Sequence, residues 1–131
     1  MAYGFLTHLD APFDEVISRV TEALKAEGFG VLADIDVSGT LKAKIGVDKR
    51  PYRILGACNP QLANRALDAD PDIGLLLPCN VIVRDEGEGK VTVGFMDPQA
   101  VLGLVDRPGI DELAREVRGR LESVRDALAS G

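Results

Sequence analysis

The chain has 131 residues, 46% hydrophobic and 27% charged, with a formal net charge of −6. That length and balance predict one domain spanning residues 1–131 with its own core, and they exclude a disordered chain or a small scaffold dependent on disulfide staples. The acidic balance argues against a nucleic-acid partner, because a phosphate backbone is held mainly by lysine and arginine.

Segment 1–10, MAYGFLTHLD, lacks the basic start and continuous apolar run of a secretory signal, and no stretch approaches the roughly 18 apolar residues of a membrane helix. A cytoplasmic protein without a membrane partner is expected. Residues 3–9 alternate Tyr3, Phe5, Thr7 and Leu9 against Gly4, Leu6 and His8, the pattern of a short strand with one better-buried face. Asp10 offers a cap for a first helix with Pro12 and Phe13 in its first turn. Phe13, Val16, Ile17, Val20 and Leu24 then recur at helical spacing until Gly28.

Gly30 to Asp34 reads as a second strand, followed by a helical segment capped by Asp36 or Ser38 and stopped at Gly46. Pro51 opens a third strand, Tyr52 to Cys58, with Tyr52, Ile54, Gly56 and Cys58 on one face and Arg53, Leu55 and Ala57 on the other. Asn59 caps a helix beginning at Pro60, which Pro71 prevents from continuing. After Leu75-Leu76-Leu77-Pro78, a strand starting near Cys79 places Val81 and Val83 inward. The turn Asp85-Glu86-Gly87-Glu88-Gly89 joins it to Val91, Val93 and Phe95 in a β-hairpin. Asp97-Pro98 ends the hairpin, and a loop or short helical turn covers Val101 to Val105. The last helix carries an apolar stripe of Ile110, Leu113, Val117, Leu121, Val124 and Leu128. The order β-α-β-α-β-α-β-β-α with a late hairpin predicts an α+β fold: a mainly antiparallel five-stranded sheet with helices packed on one face.

No cofactor is expected from motifs. Gly87-Glu88-Gly89 has no third glycine and sits in a hairpin, and no phosphate loop or nucleophile elbow occurs. His8 is the only histidine, so a histidine-based zinc site would need ligands from distant segments. Asp68, Asp70 and Asp72 imitate the start of a calcium loop, but Ile73 stands where its glycine belongs and Cys79 where its bidentate acid belongs. Asp34 and Asp36 share a strand face without evidence of a cleft that would split their pKa values. Lys42, Lys44, Lys49, Arg50 and Arg53 form the one basic stretch, next to a strand rather than on a recognition helix.

Cys58 and Cys79 are the candidate thiol site, because Cys58 closes one strand and Cys79 opens another. If those strands are antiparallel neighbours, both thiols lie at the same end of the sheet, and the amides opening the helix at Pro60 favour a thiolate at Cys58. The competing reading makes both cysteines small apolar packing residues. Asn59 and Asn80, each following a cysteine, are the candidate neighbours of the site, with capping or turn formation as their ordinary roles.

Leu55-Gly56-Ala57-Cys58-Asn59-Pro60 and Leu76-Leu77-Pro78-Cys79-Asn80-Val81, with Tyr3-Gly4 and Glu27-Gly28-Phe29, carry a resemblance. Over essentially all 131 residues the chain resembles the bacterial and archaeal family catalogued as domain of unknown function 302. The resemblance implies a TATA-binding-protein-like α+β fold with a curved antiparallel sheet, and it supplies no activity. Fold likeness to a DNA-binding protein transfers no function to an acidic chain.

The reading that follows is a non-catalytic ligand-binding or protein-interaction module acting as a homodimer. It would use the open sheet face or the groove near the cysteine-bearing strand ends, with a small molecule as a further partner. The alternative is a thiol redox or metal-handling protein using Cys58 and Cys79, with His8 or Met96 as distant extra ligands. Antiparallel strands that bring Cys58 beside Cys79 would favour it.

Overall fold

Alternating apolar residues build five strands and 3.6-residue periodicity builds five α-helices in the computed structural model, which describes residues 1–130. The strands are β1 (Gly4–Asp10), β2 (Gly30–Asp36), β3 (Tyr52–Cys58), β4 (Cys79–Gly87) and β5 (Lys90–Met96). The helices are α1 (Phe13–Ala26), α2 (Val37–Ile45), α3 (Pro60–Ala69), α4 (Pro98–Leu102) and α5 (Ile110–Ser130), and a 3-10 turn covers Pro71–Leu76. One sheet orders the strands β1-β5-β4-β3-β2, every neighbour antiparallel. The fold is α+β, as the element order predicts.

Side chains alternate across each strand, so burial sorts them into two faces. Leu55 and Ala57 of β3, Cys79, Val81 and Val83 of β4, and Val91, Val93 and Phe95 of β5 are buried. Val16, Val20 and Leu24 of α1 complete this core with the whole predicted stripe of α5. Leu62 and Ala66 of α3, Ile73 of the 3-10 turn and Leu102 of α4 join it. α2 buries no side chain. No helix among the described residues is long and apolar enough to cross a membrane.

Several boundaries differ from the sequence expectation for local reasons. Asp10 does not cap α1; it is the last residue of β1 and pairs with Lys90, while Pro12 occupies the cap position without a side-chain bond. β2 runs two residues further than Asp34, until Asp36 accepts from the Gly39 amide at 2.9 Å and starts α2. The 3-10 turn had no counterpart in the sequence reading; Asp70 nucleates it by accepting from the Asp72 amide at 3.0 Å. α4 begins at Pro98 rather than near Val101, because Asp97 accepts from the Gln99 amide at 2.9 Å.

Asp97 also pairs with Arg118 of α5. The Arg118 and Arg125 guanidinium carbons lie 5.2 and 5.3 Å from the Phe5 ring centre, and Phe5 stacks on Phe95 at 5.3 Å. Cation–aromatic attraction and one ion pair thus tie α5 to both β1 and α4.

Candidate functional site

The strand register decides what the cysteines can do. β3 and β4 are antiparallel neighbours, so the condition for a thiol pair is met, but Cys79 stands opposite Ala57. Cys79 therefore shares the inner face of Ala57, while Cys58 leaves β3 on the other side. The expected cysteine pair does not form: the two thiols are not beside each other and both are free. Burial pushes the Cys79 thiol from an ordinary 9.0 up to about 11, with a smaller like-charge contribution from Cys58. A thiol kept protonated in this way is the reverse of an activated nucleophile.

The two asparagines also separate. Asn59 caps α3, its Oδ1 accepting from the Leu62 amide at 3.2 Å, as the sequence predicts. Asn80 stands opposite Gly56 on the outer face of β4, exposed.

Small residues then create a space at this end of the sheet. α3 turns Ala63 and Ala66 toward Ala57 and Cys79, so short side chains meet short ones where larger ones would fill the gap. The resulting hollow has a volume of about 290 Å³. Leu62 and Leu67 of α3, Leu77 and Pro78 before β4, Phe29 and Leu32 of the edge, Leu102 of α4, and Leu113 and Val117 of α5 close the rest. Cys79 borders it from the inner face and Cys58 from the end of β3, and Asn59 is its one strongly polar side chain. The signal for this space was in the sequence as alanines at helical spacing, Ala63 and Ala66, facing an alanine on a strand. It carries no motif: the sequence points to a groove near the cysteine-bearing strand ends but not to these alanine walls.

The remaining candidate groups are committed elsewhere. Asp34 is held below the usual carboxylate range by the Arg53 guanidinium, and Asp36 by the Gly39 amide and the Ser38 hydroxyl. Both stay ionised, unlike the split pair that acid–base catalysis needs. Nδ1 of His8 lies 2.9 Å from the Thr92 hydroxyl. In the basic stretch, Lys42 pairs with Asp48, Arg53 with Asp34, and Arg50 donates to the Glu86 carbonyl at 2.8 Å. Among the described residues no group of three or more His, Cys, Asp or Glu is placed to hold a metal ion.

A second groove, of about 450 Å³, crosses the outer face of the sheet. Leu6 and Ile82 approach each other over Gly94, where an added Cβ would lie 2.9 Å from both side chains. Pro78 lies on Gly56 in the same way, with an added Cβ only 2.8 Å from its ring.

The model of the family described as "Domain of unknown function DUF302" matches residues 5–128. The chain belongs to the DUF302 family. The crystal structure of an uncharacterized conserved DUF302 protein from Bacillus stearothermophilus superposes with a TM-score of 0.88 at 32% identity, over 96% of this chain and 98% of that one. An uncharacterized protein of Aquifex aeolicus (strain VF5) is 28% identical over 93 residues, which are 70% of this chain and 58% of that protein. The chain thus spans a little over half the length of that curated relative. The solved DUF302 relative shares the architecture, and the site stands on its own chemistry.

Proposed function

We propose that this DUF302 chain is a non-catalytic binding module whose ligand is a small apolar molecule held in the hollow beneath α3. The observation that carries the reading is an apolar space of about 290 Å³ at the open end of the sheet. That volume lies at the lower bound of small-molecule sites, about 300 Å³, and its walls have the apolar character of such sites. Free cysteines suit a reducing, cytoplasmic compartment. The buried thiol of Cys79 supports a wall residue rather than redox chemistry.

Calorimetric titration with 1-adamantanol tests the reading. Saturable binding of one molecule per chain is expected, weakened by about tenfold or more in Ala63→Phe, whose ring would occupy the hollow. Absence of binding, or equal binding by a folded Ala63→Phe variant, overturns it.

Self-association is a second reading, favoured by the outer sheet face. Five strands about 4.8 Å apart and at least seven residues long, each residue rising about 3.3 Å, make a face of roughly 550 Å² before its rim is counted. A standard interface takes about 800 Å² from each partner, which this face and its margins approach. Leu6, Ile54 and Ile82 lie on it only partly buried. Arg84 on this face is paired with Glu86, so stacking two copies here would bury no unpaired cation from that residue. Sedimentation equilibrium is expected to give a dimer that Ile82→Lys converts to a monomer. A monomeric wild type at high concentration refutes the arrangement.

A further inference from the structure

We infer that the ligand of the hollow is a single unbranched alkyl chain, inserted tail first, with its polar head left in solvent. This rests on the binding reading above and goes beyond it in naming the shape and polarity of the ligand. An engineered cavity of about 150 Å³ holds one benzene molecule. The hollow, at about 290 Å³, thus has room for roughly ten to twelve carbon atoms.

Its exposed walls are almost wholly apolar. The Asn59 Oδ1 is already occupied by the Leu62 amide at 3.2 Å, its Nδ2 lies against Gly28 outside the lining, and the two thiols are weak partners. The polar end of any ligand therefore stays out.

What distinguishes a chain from a compact molecule is the mouth. Leu32 is 71% exposed and Leu67 is 42% exposed, yet both line the hollow. Leu75, at 88% exposure, directly follows the lining residue Gly74. Leu32 is also the residue that the β2–β3 register skips between Val31 and Ala33, so the strand bulges there. Single exposed leucines are ordinary on a protein surface. Here they continue the apolar wall outward. A compact ligand inside the hollow would leave them wet, whereas a chain leaving through the mouth covers them.

The charged groups next to α3 do not select a charged head. Arg65 pairs with Glu116 at 3.4 Å, and Arg120 with Glu116 at 3.1 Å and with the Glu27 carbonyl at 3.1 Å. An uncharged head satisfies this mouth.

The test is calorimetry on the full chain with n-alkyl maltosides from hexyl to dodecyl, each below its micelle threshold, beside 1-adamantanol. Affinity is expected to rise by up to about fourfold per added methylene until hollow and rim are covered. Leu75→Ser, a surface change at a residue outside the wall of the hollow, is expected to weaken dodecyl maltoside by about threefold or more while leaving hexyl maltoside and 1-adamantanol unchanged. If 1-adamantanol binds but maltoside affinity does not rise with chain length, the chain inference falls and the binding reading stands. If neither binds, both fall. If Leu75→Ser instead turns a dimer into a monomer by sedimentation and affinity ignores chain length, the leucine rim is a contact between copies and the inference is overturned.

Discussion

The buried thiol of Cys79 makes the stability of the fold depend on alkaline pH in a calculable way. Its pKa is raised from 9.0 to about 11, first by burial and second by Cys58. The unfolded chain loses this proton near 9.0 while the folded chain keeps it, so between these values the unfolded state binds fewer protons and is favoured as pH rises. The stabilisation is whole below about pH 9 and is lost as pH climbs through the folded value, the sign of any group whose pKa is raised on folding. At about 1.4 kcal/mol per pH unit, the interval from 9.0 to about 11 amounts to about 2 to 3 kcal/mol. Urea unfolding followed by circular dichroism, from about pH 8 to about pH 11, measures it when wild type and Cys79→Ala are compared, since other alkaline titrations are common to both. At the lower pH the variant is expected to be the less stable by about 1 kcal/mol, from lost packing. That difference should shrink and reverse at the upper pH. A constant difference across the range would refute the placement of Cys79 in a dry wall.

Other substitutions probe the surrounding frame. Asp97→Ala removes both the cap of α4 and the partner of Arg118, so urea unfolding should show a loss of about 2 to 3 kcal/mol, with Asp97→Asn losing less because its amide oxygen keeps the cap. Gly28 has φ +86°, and an added Cβ would lie 2.8 Å from the Asn59 amide nitrogen and 3.1 Å from the Arg120 guanidinium. Gly28→Ala is therefore expected to cost about 1 to 3 kcal/mol, read from the melting temperature. An aromatic disulfide reagent at neutral pH should modify the half-exposed Cys58 quickly and Cys79 only as fast as the chain opens. Equal rates would contradict the register that separates them.

The secondary structure was legible wherever one residue pattern served one purpose. The stripe Ile110 to Leu128, the hairpin around Gly87 and Gly89, and the caps at Asn59 and Asp36 follow from local chemistry, and the structure has all of them. Asp10 misled because a capping residue type can equally end a strand, and Lys90 across the ladder claims it. Even the separation of the cysteines was within reach: alternation places Cys58 with Ile54 and Gly56, whereas Cys79 goes with Val81 and Val83. It takes the register of Ala57 opposite Cys79 to turn that alternation into opposite faces of one sheet. A groove near the cysteine-bearing strand ends was expected, but its walls were not legible because nothing in Ala63 or Ala66 says what faces them. Only tertiary packing brings Ala57, Cys79 and Leu113 to the other side.

The most direct test of ligand binding beneath α3 is a methyl NMR titration with 1-adamantanol, using protein labelled at its alanine methyl groups. The account predicts saturable shifts concentrated on Ala57, Ala63 and Ala66, the three alanines that line the hollow, with Ala23 on α1 and Ala127 on α5 unmoved. Shifts centred on other alanines, or no shifts at ligand saturation of its solubility, would contradict it.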